Sequence, residues 1–170
     1  METERLTIRE LRLEDWKSIQ SMWIAQVHSP FAQYIYPKPL DDQSAYQKVK
    51  NWVEFQSTED KRCLVICFAE KIIGYVTFQH KEHDCEIGYC FHSDFQGKGY
   101  AKESLSAILM EMNRRGISGV LAQTALKNTP SVRLLRSLGF QQIDAIKNSI
   151  RQDGEGNDIF FDDGLFRWSR

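Results

Sequence analysis

Apolar and polar positions alternate in Leu6-Thr7-Ile8-Arg9-Glu10-Leu11, which reads as an opening strand. The period then becomes helical. Trp16, Ile19, Trp23 and Val27 recur on one side, and Glu14 and Asp15 put acids in the first turn. From His28 to Leu40, Pro30, Pro37 and Pro39 hold helix off. Asp41 and Asp42 can cap a second helix, whose buried stripe is expected at Tyr46, Val49, Trp52 and Val53. The stretches 63–69, 72–79 and 85–91 read as strands with short links, the first being Glu70-Lys71, so an antiparallel meander is expected. Helical spacing returns at Ala101, Leu105, Ile108, Leu109 and Met112, and ends at Arg114-Arg115-Gly116 with cations in the last turn and glycine beyond. Stretch 120–124 is a strand that should lie parallel to 85–91, because a helix separates them. Thr129 as cap, Pro130 in the first turn and Gly139 past the end bound another helix. Stretches 141–150 and 157–168 close the chain as a strand pair around the polar turn 152–156.

No repeat, linker or low-complexity tract interrupts this order, so residues 1–170 are expected to form one domain, long enough for a real core. The net charge of −1, with 26% charged residues, offers no basic footprint for nucleic acid. Met-Glu-Thr-Glu-Arg lacks the apolar stretch of a signal peptide, and no run approaches ~18 apolar residues. The expected home is therefore the cytoplasm, with no membrane partner. Cys63, Cys67, Cys85 and Cys90 all fall in expected strands and read as small buried hydrophobes of a reducing compartment. A metal site from Cys85 with His80 and His83 can be drawn, but the paired Cys-x-x-Cys spacing is missing, and no metal is expected.

One stretch carries more chemistry than the rest: Asp94-Phe95-Gln96-Gly97-Lys98-Gly99-Tyr100-Ala101-Lys102-Glu103, between a strand and a helix. Gly97 and Gly99 let backbone approach a ligand and can take positive φ. The first N–H groups of the following helix have no partner inside it, and with the helix dipole they suit an anion such as phosphate. A P-loop would need Ser or Thr after Lys98, where Gly99 stands. A dinucleotide fingerprint would need a third glycine where Lys102 stands, and an acid where the next strand ends Gln123-Thr124.

What remains is Gln96-x-x-Gly99-x-Ala101, which resembles the pyrophosphate loop of the GCN5-related N-acetyltransferase superfamily. The segment 128–140, an Asn128-x-x-Ser131 helix ending Leu138-Gly139-Phe140, looks like the second signature of that superfamily. Together with the opening Leu6-x-Ile8-Arg9-x-Leu11, it is most similar to the branch of the ribosomal-protein N-acetyltransferases RimJ and RimL, which also contains enzymes for small amines. The resemblance covers nearly the whole chain. It implies an α/β (α+β) fold, a mixed, mostly antiparallel twisted sheet of about six to seven strands flanked by about four helices.

The resemblance also implies the chemistry. Acetyl-CoA is the expected cosubstrate, and a primary amine, small molecule or protein N-terminus, is the expected acceptor for direct attack in a ternary complex. A monomer or homodimer is expected. Main chain near Phe91 and His92 should hold the pantetheine arm, with one N–H facing the thioester oxygen. Backbone N–H groups over Gly97, Lys98, Gly99, Tyr100, Ala101 and Lys102, beside Gln96, should hold the pyrophosphate, and Asn128 the pantetheine or its phosphate end. Glu86, on the strand face of Gly88 and Cys90, matches the base of several members. His83 and His92 are the alternatives. Many relatives carry an acid tyrosine four residues before the Gly-Phe pair, where Leu135 stands here; Ser131 is the branch's substitute. Phe31, Tyr34 and Tyr36 either pin their loop to the core or line the acceptor pocket. Two other readings stand beside the enzyme: a catalytically degenerate coenzyme A-binding regulatory module, and a nucleotide-binding protein.

Overall fold

The computed structural model describes residues 1–35, 37–56, 61–81 and 84–169; Tyr36 and His83 lie outside them. The elements run β1 (Leu6–Glu10), a 3-10 turn (Leu13–Asp15), α1 (Trp16–Val27), a 3-10 turn (Ala32–Tyr34), α2 (Asp42–Phe55), β2 (Lys61–Phe68), β3 (Lys71–Lys81) and β4 (Asp84–Phe91). After a third 3-10 turn (Ser93–Phe95) come α3 (Tyr100–Arg114), β5 (Gly119–Ala125), α4 (Thr129–Ser137), β6 (Gln141–Gln152) and β7 (Asp158–Ser169). The seven strands form one sheet in the order β1-β2-β3-β4-β5-β7-β6. β2, β3 and β4 are the expected antiparallel meander, and β4 lies parallel to β5. The closing strands pair with each other, but it is the last, β7, that lies against β5, leaving β6 at the edge.

Alternation along the strands feeds two cores. One face buries Leu6, Ile8, Ile66, Val76, Cys85, Ile87 and Val120 against α3 and α4, through Leu105, Ile108, Leu109 and Leu135. The other buries Cys63, Val65, Tyr75 and Cys90 against Ile19, Met22, Trp23, Ala45 and Val49 of α1 and α2. All four cysteines are buried and free, which accounts for them as packing residues. Within that second core Trp23 donates its Nε1–H to the Tyr75 hydroxyl at 3.0 Å, so each buried polar tip satisfies the other.

The helix boundaries follow from capping. Asp41 accepts from Ser44 N at 2.8 Å and starts α2 as expected. Gly116 and Gly139 follow α3 and α4 with φ of 87° and 91°. Two helical stripes differ from the sequence reading. Val27, the last residue of α1, is exposed. In α2 the face in contact is turned toward Ala45 and Val49; Tyr46 is exposed and meets Trp16 edge-on at 5.7 Å. The small Ala45 side chain allows close approach of the two helices there. The cap of α4 is Asn128, one residue before the expected Thr129.

Candidate active site

β4 organises the site through its unequal edges. It pairs with β3 from Asp84 to Phe91, but with β5 only at Cys85↔Val120, Glu86↔Leu121 and Ile87↔Ala122. Beyond Ile87 the strands part, while β5 runs on to Ala125 paired with β7. His92 donates its N–H to Ile73 C=O at 2.9 Å, on the β3 side. Polar groups alternate sides along a strand, so those of Tyr89 and Phe91 turn toward the opening. The Phe91 C=O is taken by Gln96 Nε2 at 3.0 Å. Of the two residues expected to offer main chain to pantetheine, His92 thus spends its N–H on β3. The open edge centres on Tyr89, whose backbone must find a partner from outside the sheet.

A cavity of ≈ 980 Å³ surrounds this opening, near the upper end of the size range for ligand sites. The glycine turn forms one wall. Gly97 and Gly99 have φ of +73° and +83°; a Cβ at Gly97 would meet nothing within 4 Å, and one at Gly99 only Arg5 Nη2 at 3.3 Å. Conformation, not crowding, demands glycine here, and the space above is open. The first bond inside α3 runs from Glu103 N–H to Gly99 C=O, so the N–H groups of Tyr100, Ala101 and Lys102 precede it. N–H groups so placed, with the helix dipole, are chemically suited to an anion.

The turn is braced from below. Lys98 donates to Asp94 C=O at 2.9 Å and lies over the Phe95 ring, so its charge turns back into the loop and away from the cavity lining. Arg5 donates to Lys98 C=O at 3.2 Å, pairs with Glu103 at 2.7 Å and stacks over Tyr100 at 4.6 Å. Arg5 escaped the sequence reading because its partners lie almost a hundred residues away, and β1 brings it there. His92 is engaged locally, its Nδ1 accepting from Asp94 N at 3.3 Å and lying 3.8 Å from the Asp94 carboxylate.

The start of α4 forms the facing wall. Asn128 lines the cavity, and its side chain makes no cap bond. Ser131 Oγ lies 2.7 Å from the Tyr89 hydroxyl, across the opening. Burial pushes the Tyr89 phenol up to about 12, with the Ser131 hydrogen bond working against it, so the hydroxyl keeps its proton at neutral pH. Tyr89 was missed by the sequence reading, although its parity with Ile87 and Phe91 puts it on the α4 face of β4. Leu135, where many relatives carry tyrosine, is fully buried in the core.

Glu86 and Gly88 line the cavity on the opposite face of β4, with Cys90 at its far end. Burial raises the Cys90 thiol to about 12, so it is not poised as a thiolate. Phe31 and Tyr34 also line the cavity, and Tyr34 meets Phe161 of β7 edge-on at 5.6 Å. Asp163 of β7 is a buried carboxylate in the lining, accepting from Gln123 Nε2 at 2.8 Å and Asn148 Nδ2 at 3.0 Å. Phe161 and Asp163 were not singled out from sequence, because only the sheet order brings β7 beside β5, and Trp52 was read only as part of the buried stripe of α2. The remaining charges of the lining are cations: Lys38, Lys48, Lys61, Arg62, Lys102 and Arg133. Among the described residues, no three His, Cys, Asp or Glu side chains are arranged to hold a metal ion. Cys85 lies directly across from His80 in the β3–β4 register and is fully buried in the core.

Known proteins resemble this chain at the level of both sequence and fold. Residues 5–141 match the family model described as Acetyltransferase (GNAT) domain. The protein YnaD of Bacillus subtilis (strain 168), named an uncharacterized N-acetyltransferase, is 28% identical over 94% of this chain and 92% of its own length. The ribosomal protein uS5-alanine N-acetyltransferase of Escherichia coli (strain K12) is 32% identical over 52% of this chain and 48% of its own. Among solved structures, the ribosomal L7/L12 alpha-N-protein acetyltransferase RimL in complex with coenzyme A superposes with a TM-score of 0.84 at 17% identity. That match covers 98% of this chain and 95% of the other.

Proposed function

The chain belongs to the acetyltransferase (GNAT) domain family, and from that membership we propose that it moves the acetyl group of acetyl-CoA directly to a primary amine within a ternary complex. The observation that carries this reading is the parting of β4 and β5 after three pairs, between the glycine turn and the Ser131 helix. The residues fit acetyl-CoA. N–H groups over the turn from Gly97 to Lys102 receive its pyrophosphate, and the Asn128 amide, which has no side-chain partner among the described residues, receives the pantetheine arm. RimL, with the same fold, is known bound to coenzyme A.

In this reading the amine approaches on the face of Glu86, which accepts its proton directly or through a water. Main-chain N–H on the open edge, at Tyr89 or Phe91, faces the oxygen that becomes negative as the carbonyl turns tetrahedral. Ser131 protonates the departing thiolate, and the Tyr89 hydroxyl behind it supplies or relays the proton. Phe31 and Tyr34, in the cavity lining, form the acceptor side.

The test is acetyl-CoA turnover against a panel of small amines and peptide N-termini, with initial rates at varied levels of both substrates. Intersecting, sequential kinetics are expected. Ping-pong kinetics or a trapped acetyl-Cys90 would overturn direct transfer. Tight acetyl-CoA binding with transfer to no acceptor would favour the regulatory coenzyme A-binding module instead.

A further inference from the structure

The cavity lining is cationic in a chain whose net charge is −1. Lys102 and Arg133 flank the glycine turn and α4, where the phosphates of the proposed cofactor account for them. Lys61 lies over the Phe55 ring at 5.6 Å and Arg62 pairs with Glu10 at 3.5 Å. Lys38 and Lys48 have no such account. Lys38 comes from the loop between α1 and α2 and is half-buried, close to Cys90 at the far end of β4. Lys48 lies one turn before Trp52 on α2, at the same end of the cavity. Neither makes an ion pair or a side-chain hydrogen bond among the described residues. Burial holds the Lys38 ammonium below its ordinary range, and the Lys48 charge pushes the same way. The Cys90 thiol also acts on it, and Cys90 is in turn linked to Tyr75 and Gln26; neither the thiol nor the phenol is an anion at neutral pH. Two like charges, the half-buried Lys38 and the exposed Lys48, therefore sit together in a cavity whose carboxylates among the described residues, Glu86 and Asp163, are not ion-paired with either, an arrangement that an anionic ligand would stabilise.

We infer that the acceptor is a primary amine bearing a carboxylate or phosphate, and that Lys38 and Lys48 hold this anion while the amino group is presented to Glu86. The inference rests on the acetyltransferase reading of the cavity. Glu86 and Cys90 lie four residues apart on one strand, which is roughly 13 Å of chain. Amine and anion are therefore separated by several bonds. An acidic side chain near a peptide N-terminus, or the far end of a small amino acid or amino phosphate, has that form.

Matched acceptors separate these cases. One set is 6-aminohexanoate, its amide, hexylamine and 1,6-diaminohexane, with an aminohexyl phosphate. A second set is Ala-initiated tripeptides carrying Glu, Gln or Lys at the third position. Acidic members are expected to exceed their neutral and basic partners in kcat/KM by roughly tenfold or more, the worth of one charged hydrogen bond. Whichever set shows the larger ratio identifies the source of the anion. In Lys38→Met and Lys48→Gln the preference should fall through a higher KM for acidic members, and Lys48→Glu should turn it toward the basic ones. Equal turnover across each set, or a preference that survives the double variant, would overturn the inference while leaving the acetyltransferase reading intact. Calorimetric titration of the same compounds is read alongside. If no acceptor is acetylated, the enzyme reading fails, and the lysine site still stands or falls on whether acidic members bind wild type more tightly than the double variant.

Discussion

At the residue scale, the proposed mechanism divides its labour between two faces of one strand. Glu86 and Tyr89 differ by an odd number of positions on β4, so their side chains lie on opposite faces, Tyr89 on the α4 face and Glu86 on the face proposed for the acceptor. Glu86→Gln is expected to lower kcat by roughly 10²- to 10⁴-fold, the range of a general-base contribution. Acetyl-CoA affinity should be nearly unchanged, and rates at high pH, where the amine arrives neutral, should recover in part. Wild-type turnover of this variant at neutral pH would move the base to solvent, His92 or His83. Ser131→Ala and Tyr89→Phe should both slow transfer, and the double variant should lose little beyond the worse single, because the hydroxyls act in series at 2.7 Å. For both, the deficit should shrink with acyl thioesters of more acidic thiols, measured by kcat on synthetic donors. Additive losses would separate the two roles.

At the scale of elements, the glycine turn and the first helical turn before α1 show two ways to hold backbone polar groups. The turn into α3 leaves its N–H groups open, and Gly99 sits at a φ that a β-branched residue tolerates poorly. Gly99→Val should severely weaken acetyl-CoA binding by calorimetry while the rest of the sheet stays folded; normal binding would take the phosphate site elsewhere. The Leu13–Asp15 turn instead closes on itself. Asp15 accepts from Arg9 at 2.7 and 2.8 Å and from Arg12 N–H at 2.8 Å. Burial raises its pKa, but the Arg9 and Arg12 hydrogen bonds outweigh that and leave it below the usual carboxylate value. A depressed folded pKa contributes stability that is present above the unfolded value, about 4, and lost as pH falls through the folded one. Asp15→Asn should therefore cost about 1–3 kcal/mol at pH 7 and show a weaker loss on acidification, read from urea midpoints across pH.

At the scale of the whole molecule, the buried core constrains the chemistry the site can adopt. Leu135 occupies the position of the acid tyrosine of many relatives, and here it is fully buried among the residues joining α4 to the sheet. Leu135→Tyr is expected to destabilise by about 1–3 kcal/mol through overpacking, seen as a lower Tm, without raising the rate. A faster variant of unchanged Tm would mean that the core has room for a tyrosine after all. The Ser131–Tyr89 pair places a hydroxyl at the opening without disturbing that core.

Much of this was legible from local pattern. Alternation marked the first strand, helical spacing marked three of the main helices, Thr129, Pro130 and Gly139 bounded the fourth, and short links marked the meander, because side-chain direction, capping and chain reach are local properties. The glycine turn and the Asn128–Ser131 helix start were visible for the same reason: backbone conformation at Gly97, Gly99 and Pro130 is written into those residue types. Four features were decided only by the tertiary structure. The β4–β5 pairing stops at Ile87, β7 rather than β6 lies beside β5, Arg5 braces a turn almost a hundred residues away, and Tyr89 meets Ser131 across the opening. Each is a contact between segments distant in sequence, set by sheet order and twist. No local spacing encodes which distant partner a side chain will meet when the sheet closes.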